Sequence, residues 1–170
     1  MLNSMLRRLL GATESTPTAM EGPPSHQWPG PRAGARVLFL DFDGVLHPGT
    51  SETFEFMPDL YHLLDLLPDL DIVVSSTWRT TASPSYLLGL FRPPYRSRVR
   101  DVIGPEVAEP HARQSAIEVY ARTRGVDRFL AVDDSAELFR PGCPWLILVP
   151  RLQGIGHGNA ERLHVALAGL

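Results

Sequence analysis

The stretch RVLFLDFDG at residues 36–44 decides the fold that we predict for this chain. Apolar residues follow Arg36 without interruption and stop at Asp41, a pattern typical of a strand buried on both faces of a parallel sheet. Asp43 stands two positions further on, so an extended backbone would direct both carboxylates to the same side. Gly44 then allows a sharp turn. The stretch therefore predicts a buried strand that ends in an acidic loop.

Strands and helices alternate through the rest of the chain, which predicts a doubly wound α/β fold with a mostly parallel sheet and helices on both faces. Residues 92–104 contain two prolines and four arginines. We interpret them as an exposed loop that is either solvated or faces an anionic substrate. The predicted strands are residues 36–40, 71–75, 129–132 and 145–149, and the predicted helices are residues 54–67, 85–91, 112–124 and 159–167.

A single domain accounts for the length of the chain. The 170 residues are 44% hydrophobic, which suffices for one buried core and leaves little room for a second. Residues 1–34 are rich in Pro, Gly, Ser and Thr and predict a flexible leader. We expect the folded catalytic domain at residues 35–170.

Composition excludes several classes of protein. The formal net charge of −3 does not fit a protein that coats nucleic acid in general. No segment approaches the roughly 20 apolar residues of a membrane helix, so we expect no membrane partner. Cys143 is the single cysteine, which excludes an internal disulfide and fits a reducing compartment. We therefore expect a cytoplasmic protein.

Polar residues follow three of the predicted strands: Asp41 and Asp43 the first, residues 75–77 the second, and Asp133 with Asp134 the third. Ligands of open parallel sheets bind outside the carboxyl ends of the strands, so we expect these side chains to meet. Two carboxylates about 4 Å apart repel by on the order of 4 kcal/mol at an effective dielectric of about 20. Mg²⁺ prefers oxygen ligands and would relieve this repulsion. The pattern predicts an acidic magnesium pocket beside a hydroxyl group.

Each of the three motifs also has a simpler interpretation. Asp-x-Asp-Gly is common in turns, Asp-Asp-Ser can cap a helix, and Ser-Ser-Thr can simply end a strand. The three motifs occur in this order, each at the end of a predicted strand. This combination favours a functional site over three independent turns.

The same motifs resemble those of the haloacid dehalogenase (HAD) superfamily. LFLDFDGVL at residues 38–46 resembles motif I, VVSSTWR at residues 73–79 resembles motif II, and FLAVDDS at residues 129–135 resembles motif IV. The resemblance extends from about Arg36 to the last residue. The run SSTWR and the short length are most similar to the small HAD branch associated with RNA-repair proteins.

The resemblance implies an aspartyl-phosphate mechanism. Asp41 would be the nucleophile, and Asp43 would protonate the leaving oxygen and then deprotonate the water that hydrolyses the intermediate. Mg²⁺ would be held by Asp41, the backbone carbonyl of Asp43, and Asp133 or Asp134. The implied activity is that of a phosphatase or a phosphotransferase, which the sequence does not separate.

Two assignments within the motifs stay open. We prefer Ser76 over Ser75 as the motif II hydroxyl that binds a phosphoryl oxygen, because it stands two residues before the tryptophan, as in the related proteins. Motif III is usually a lysine at the start of a helix, but this chain contains no lysine. Arg113 is the best substitute, although it could also be a solvated helix arginine. Its guanidinium is a fixed fork rather than a mobile point charge.

Further residues near the motifs are candidates for substrate contacts. Gly44, Thr77 and Arg79 are the predicted substrate-binding residues. Trp78 could stack on a base, but we prefer to interpret it as a core tryptophan. We interpret His47 as a loop histidine with satisfied hydrogen bonds rather than as a gate.

HAD enzymes often carry a cap domain that closes over small substrates. Residues 45–70 contain one predicted helix, and residues 76–113 are too few for a large cap. A minimal cap, or none, implies an open site. The expected partner is a large phosphorylated substrate such as a nucleic-acid end or a phosphoprotein, unless a second subunit of an oligomer closes the site.

Two other classes of protein share parts of this pattern. A response-regulator receiver also combines an acidic pair, a hydroxyl and a basic residue, but its adjacent acidic pair follows the first strand, whereas here it follows a late one. A degenerate HAD-fold binding module would explain the missing lysine. Intact Asp41 and Asp43 favour an enzyme instead.

Overall fold

The structure, a computed structural model, describes residues 28–49 and 51–170. Most of the predicted leader, residues 1–27, lies outside this range. Residues 28–34 contact the domain, since the Gly30 amide donates to the Arg100 carbonyl at 3.0 Å and Arg32 pairs with buried Asp71 at 2.7 Å. The end of the predicted leader is therefore attached to the domain.

Five parallel strands form one sheet, which confirms the predicted doubly wound α/β class. The strands are β1 (Arg36–Leu40), β2 (Leu70–Val74), β3 (Val99–Val102), β4 (Phe129–Asp133) and β5 (Leu146–Leu148). Their spatial order is β3-β2-β1-β4-β5, so β1, the first part of the stretch RVLFLDFDG, lies at the centre.

Local sequence signals explain several helix boundaries. The helices are α1 (Met57–Leu66), α2 (Pro84–Gly89), α3 (Pro93–Arg96), α4 (Ala112–Arg124) and α5 (Asn159–Ala168), with 3-10 turns at Thr77–Thr80 and Ala136–Leu138. Proline occupies the first turn of α1, α2 and α3, where its missing N–H costs no helical hydrogen bond. Gly125 ends α4 in the left-handed conformation, with φ 66°. None of the described helices is long and apolar enough to cross a membrane.

The prediction of an exposed loop at residues 92–104 is wrong, because this segment forms α3 and edge strand β3. Strand β3 has only four residues, in which buried and half-buried side chains alternate. The prolines and arginines around it are typical of an exposed loop, so the sequence pattern did not indicate a strand. Arg98 does not face a substrate. Its guanidinium donates to the carbonyls of Leu64, Leu67 and Leu70, at the end of the sheet opposite the strands' carboxyl ends.

Side-chain alternation along the central strands separates two cores. Leu38 and Leu40 join the core beneath α1 and α5, whereas Val37 and Phe39 join the core beneath α4. Asp41 follows Phe39 by two residues, so its side chain lies on the same face of the sheet, the face covered by α4. In β4, Ala131 also packs on the α4 side, and Asp133 follows it by two residues.

The loops above the sheet contain no separate cap domain within the described residues. The described residues between β1 and α1 form turns and one isolated bridge between Asp43 and His47, and the segment between β2 and β3 contains a 3-10 turn and the short helices α2 and α3. This agrees with the predicted minimal cap.

Candidate active site

Three carboxylates converge at the carboxyl ends of β1 and β4. Asp41 follows β1 directly, Asp133 is the last residue of β4, and Asp134 comes next. One oxygen from each residue lies within 4.8 Å of the other two. Asp133 is fully buried and Asp41 is 5% exposed, so little water screens their repulsion.

Burial and mutual repulsion disfavour the charged forms of these acids. Burial, followed by repulsion from Asp41, raises the pKa of Asp133 to about 7. Burial also raises the pKa of Asp41, and Asp134 adds a smaller repulsion. Arg113 and the hydroxyl of Ser76 oppose this rise by contacting the Asp41 carboxylate.

Arg113 supplies the positive charge at this site, from the first turn of α4. Its Nη1 lies 3.0 Å from the Asp41 carboxylate and donates a hydrogen bond of 2.7 Å to Asp133. The side chain is only 3% exposed. Burial opposes its charge, but the attraction of Asp41 and Asp133 outweighs burial and raises the pKa of the guanidinium. Arg113 thus places a buried positive charge beside Asp41 and Asp133, and its role as the substitute for the motif III lysine stays a prediction.

Glu106 is a residue of the site that the sequence did not reveal. One of its carboxylate oxygens accepts from Arg113 Nε at 3.1 Å and from Arg79 Nη2 at 2.9 Å. It lies in the loop before α4, seven residues from Arg113. Acidic residues are common in loops between a strand and a helix, so the position of Glu106 in the sequence did not indicate a role in the site. Glu106 holds both guanidinium groups in place.

Arg79 lies beside the site in a different arrangement from the predicted substrate contact. Its Nη1 donates to the carbonyls of Ser75 and Ser76 at 2.6 and 2.7 Å, and Nη2 also approaches the Gly104 carbonyl. The side chain is 3% exposed. These contacts favour a positioning role for Arg79, which holds the backbone of motif II.

The two motif II serines have different surroundings. The Ser76 hydroxyl hydrogen-bonds the Asp41 carboxylate and also accepts from the Trp78 amide at 3.4 Å. The Ser75 hydroxyl is buried and has no hydrogen-bond partner among the described residues. This geometry favours the choice of Ser76. Thr77 follows at the surface, at the start of the 3-10 turn.

Asp43 stands apart from the three converging carboxylates. Its Oδ2 accepts a hydrogen bond of 2.9 Å from the indole N–H of Trp78, and its Oδ1 lies 3.6 Å from Nε2 of His47. Trp78 is therefore more than a core tryptophan. His47 is completely buried, and neither ring nitrogen has a hydrogen-bond partner in the described part of the chain, which differs from the predicted satisfied histidine.

Gly44 allows the acidic loop to pass close to motif IV. Its φ is +72°, and a Cβ at this position would overlap the Asp134 carboxylate. Any larger residue would therefore push Asp134 away from the site. The structure explains Gly44 by this close approach, and its predicted substrate contact stays a prediction.

The donor set fits a hard divalent cation. Three carboxylates supply oxygen ligands within reach of one another, and the raised pKa values of Asp41 and Asp133 show that nearby positive charge does not fully balance them. Arg113 is shared with Glu106, and Arg151 reaches Asp134 only at 3.5 Å.

The central Asp-x-Asp strand, the motif II hydroxyl and the acidic pair after β4 define an α/β protein of the HAD superfamily. The family model described as the HAD domain in Swiss Army Knife RNA repair proteins matches residues 37–156. The chain belongs to this family. Comparison with curated proteins and with solved structures gives no match. Membership supports a HAD-type hydrolase or phosphatase in general.

Proposed function

We propose that this chain is a Mg²⁺-dependent phosphohydrolase that acts through an aspartyl-phosphate on Asp41. The observation that carries the proposal is the convergence of Asp41, Asp133 and Asp134 beside the buried guanidinium of Arg113. A nucleophilic carboxylate, a fixed cation and an acidic ligand set are the parts that phosphoryl transfer to a carboxylate requires.

In the first step, a carboxylate oxygen of Asp41 attacks phosphorus, and the bond from phosphorus to the leaving oxygen breaks. Asp43 gives that oxygen a proton, and its hydrogen bond from Trp78 keeps the carboxyl oriented. In the second step, Asp43 takes a proton from water. The water oxygen attacks phosphorus, which releases phosphate and restores the Asp41 carboxylate.

Two side chains would hold the transferring group during both steps. The Ser76 hydroxyl can turn from Asp41 to a phosphoryl oxygen, and Arg113 can balance the charge that develops there. Mg²⁺ would be held by Asp41, the carbonyl of Asp43, and Asp133 or Asp134, and would neutralise charge on the phosphoryl oxygens.

The open site and the family favour a phosphate at the end of a nucleic acid as the substrate. No separate cap domain is present in the described residues, so no cap would exclude a large substrate. The family is that of HAD domains in RNA-repair proteins. A phosphoprotein would also fit an open site, and the experiment below separates the two.

The test is release of phosphate from p-nitrophenyl phosphate, from 5′- and 3′-phosphorylated oligonucleotides, and from a phosphopeptide, with Mg²⁺ or with EDTA. Asp41→Asn keeps the size of the side chain and removes the nucleophile, so we expect turnover to fall by at least about 10⁴-fold, as when a covalent nucleophile is removed. Asp127→Asn is the matched control, since Asp127 is exposed in the loop before β4.

The outcomes separate the alternatives. Metal-dependent turnover that is lost in Asp41→Asn and kept in Asp127→Asn supports the proposal, and phosphate transfer to added glycerol would indicate a phosphotransferase. Retained Mg²⁺ binding without turnover on any substrate would favour the binding module. Absence of both metal binding and turnover would refute the proposed function.

A further inference from the structure

A groove of about 530 Å³ shares Trp78 with the candidate site. It is lined by Glu52, Thr81, Ala82, Ser83, Trp78 and Tyr86. Trp78 is shared between the two regions, because its N–H donates to Asp43 while its ring forms part of the groove wall. A molecule in the groove would therefore lie next to the group that protonates the leaving oxygen.

The groove presents two aromatic rings that are suited to a flat ligand. Trp78 and Tyr86 lie with their rings 29° from parallel and their centroids 6.5 Å apart. Tyr86 is 54% exposed, so its ring is accessible. Trp78 also makes edge contacts with Phe42 and Phe54, at centroid distances of 5.8 and 5.5 Å. These contacts hold the Trp78 ring in place before any ligand arrives.

Charge in the groove disfavours a second phosphate or an acidic peptide. The described residues that line it include no arginine or histidine, and Glu52 contributes a carboxylate. A carboxylate accepts hydrogen bonds from N–H groups, such as the amino groups of nucleobases, and repels phosphates. The occupant that fits these walls is planar, uncharged and able to donate hydrogen bonds.

We propose that this groove binds the nucleobase of the terminal nucleotide whose phosphate is removed. The inference rests on the proposed function, because Asp43 protonates the leaving oxygen and the rest of the leaving group must extend past Asp43. For a phosphorylated nucleic-acid end that group is a nucleoside, and Trp78 lies between its oxygen and its base. Base stacking on Trp78 and Tyr86 would then select nucleic-acid ends over phosphopeptides.

The experiment compares two oligonucleotides that carry the same terminal phosphate, one with a normal terminal nucleotide and one with an abasic terminal sugar. Both have the same backbone charge, so the ratio of their kcat/KM values isolates the base. We expect the base-bearing substrate to be favoured by about tenfold or more, as for other stacked bases. Tyr86→Ala should bring the ratio close to one, and Tyr86→Phe should keep it. Tyr95→Ala, which removes a tyrosine outside the groove, should keep the ratio as well.

Binding to the Asp41→Asn variant, measured by fluorescence anisotropy with the same two oligonucleotides, keeps the inference testable if turnover is absent. Tighter binding of the base-bearing strand that Tyr86→Ala abolishes would support the groove even if the proposed hydrolysis failed. Equal turnover of both oligonucleotides by the unmodified protein would refute the groove and leave the phosphohydrolase intact. Faster turnover of a phosphopeptide, unchanged by Tyr86→Ala, would also refute it.

Discussion

Arg113 contacts three carboxylates, because Nη1 lies between Asp41 and Asp133 while Nε donates to Glu106. A guanidinium can do this because its donors point in fixed directions, whereas a lysine ammonium is a single point charge. Arg113 therefore places a positive charge between Asp41 and Asp133 and adds a bond to Glu106, which a single ammonium in the place of Nη1 would not make.

Two substitutions of Arg113 should distinguish the effect of its charge from the effect of its hydrogen bond to Glu106. We expect Arg113→Ala to abolish turnover and to lower the free energy of unfolding by about 3–5 kcal/mol, since buried carboxylates lose their partner. Arg113→Lys keeps the charge and loses the bond to Glu106, so about 1–2 kcal/mol of stability and part of the activity should be lost. Urea unfolding and phosphate release measure both effects.

Arg122→Ala is the control for these variants, because Arg122 is an exposed residue of the same helix. It should change neither quantity appreciably. If Arg113→Lys were as inactive as Arg113→Ala, charge alone would not explain the role of this residue.

Gly44 lets motif I approach motif IV closely, because the Asp134 carboxylate occupies the space that a side chain at Gly44 would fill. Gly44→Ala should weaken Mg²⁺ binding by at least about tenfold, because its Cβ would displace the Asp134 carboxylate. Isothermal titration calorimetry measures this loss. Gly125→Ala has a similar φ of +66° and no heavy atom within 4 Å of the added Cβ, so it should destabilise by about 1–2 kcal/mol and leave Mg²⁺ affinity unchanged. Equal effects on affinity would show that strain, not overlap, is responsible.

At the scale of elements, the carboxyl ends of the strands bring the site residues together, and Arg98 stabilises the opposite end of the sheet. Arg98 lies just before β3 and donates to backbone carbonyls at the end of α1 and the start of β2. The Leu64 carbonyl lies in the last turn of α1, where carbonyls lack a helical partner, whereas the Leu67 carbonyl also accepts from the Leu70 amide. The arginine therefore links three elements far from Asp41.

Arg98→Ala should reduce stability without reducing catalysis. We expect a loss of about 2 kcal/mol in the free energy of unfolding, since several hydrogen bonds to partly buried carbonyls disappear together. The kcat of the folded protein should stay within about twofold, because no bond at the strands' carboxyl ends changes. Urea unfolding and steady-state kinetics at a temperature well below the transition give the two values. A large fall in kcat would show that the two ends of the sheet are coupled.

At the scale of the whole molecule, the acidic site lowers the stability of the metal-free fold. The folded-state pKa of Asp133, about 7, lies above the ordinary value near 4, so the folded state binds more protons than the unfolded chain between these pH values. Metal-free stability should therefore fall as pH rises through this window. A cation that binds the charged carboxylates would reverse the loss.

Stabilisation by Mg²⁺ should consequently increase with pH. At a Mg²⁺ concentration 100 times its Kd the gain is about 2.7 kcal/mol, which raises the Tm by about 5–10 °C for a domain of this size. Each pH unit below 7 should weaken Mg²⁺ binding about tenfold, because protons compete for Asp133. Thermal unfolding at pH 6 and pH 8, with Mg²⁺ and with EDTA, tests this. Asp133→Asn should lose the response and Asp127→Asn should keep it, whereas a response independent of pH would contradict the role of Asp133.

The amino-acid sequence by itself determined the elements and the acids at their ends. β1 and α4 have the predicted boundaries, and Asp41 and Asp133 stand at strand ends as expected, because burial on both faces leaves a continuous apolar run that polar residues must terminate. Motif order then gave the superfamily. These features depend on residues that are close together in the chain, so a sequence pattern can indicate them.

Tertiary structure alone decided the contacts that support the predicted acids. Glu106 joins Arg79 to Arg113, Trp78 orients Asp43, and neither contact follows a local spacing. Strand β3 was missed for the same reason, since its pairing with β2 depends on distant residues rather than on its own four. Contacts between distant segments form only when the sheet closes, so their geometry is a property of the packed molecule rather than of the sequence pattern.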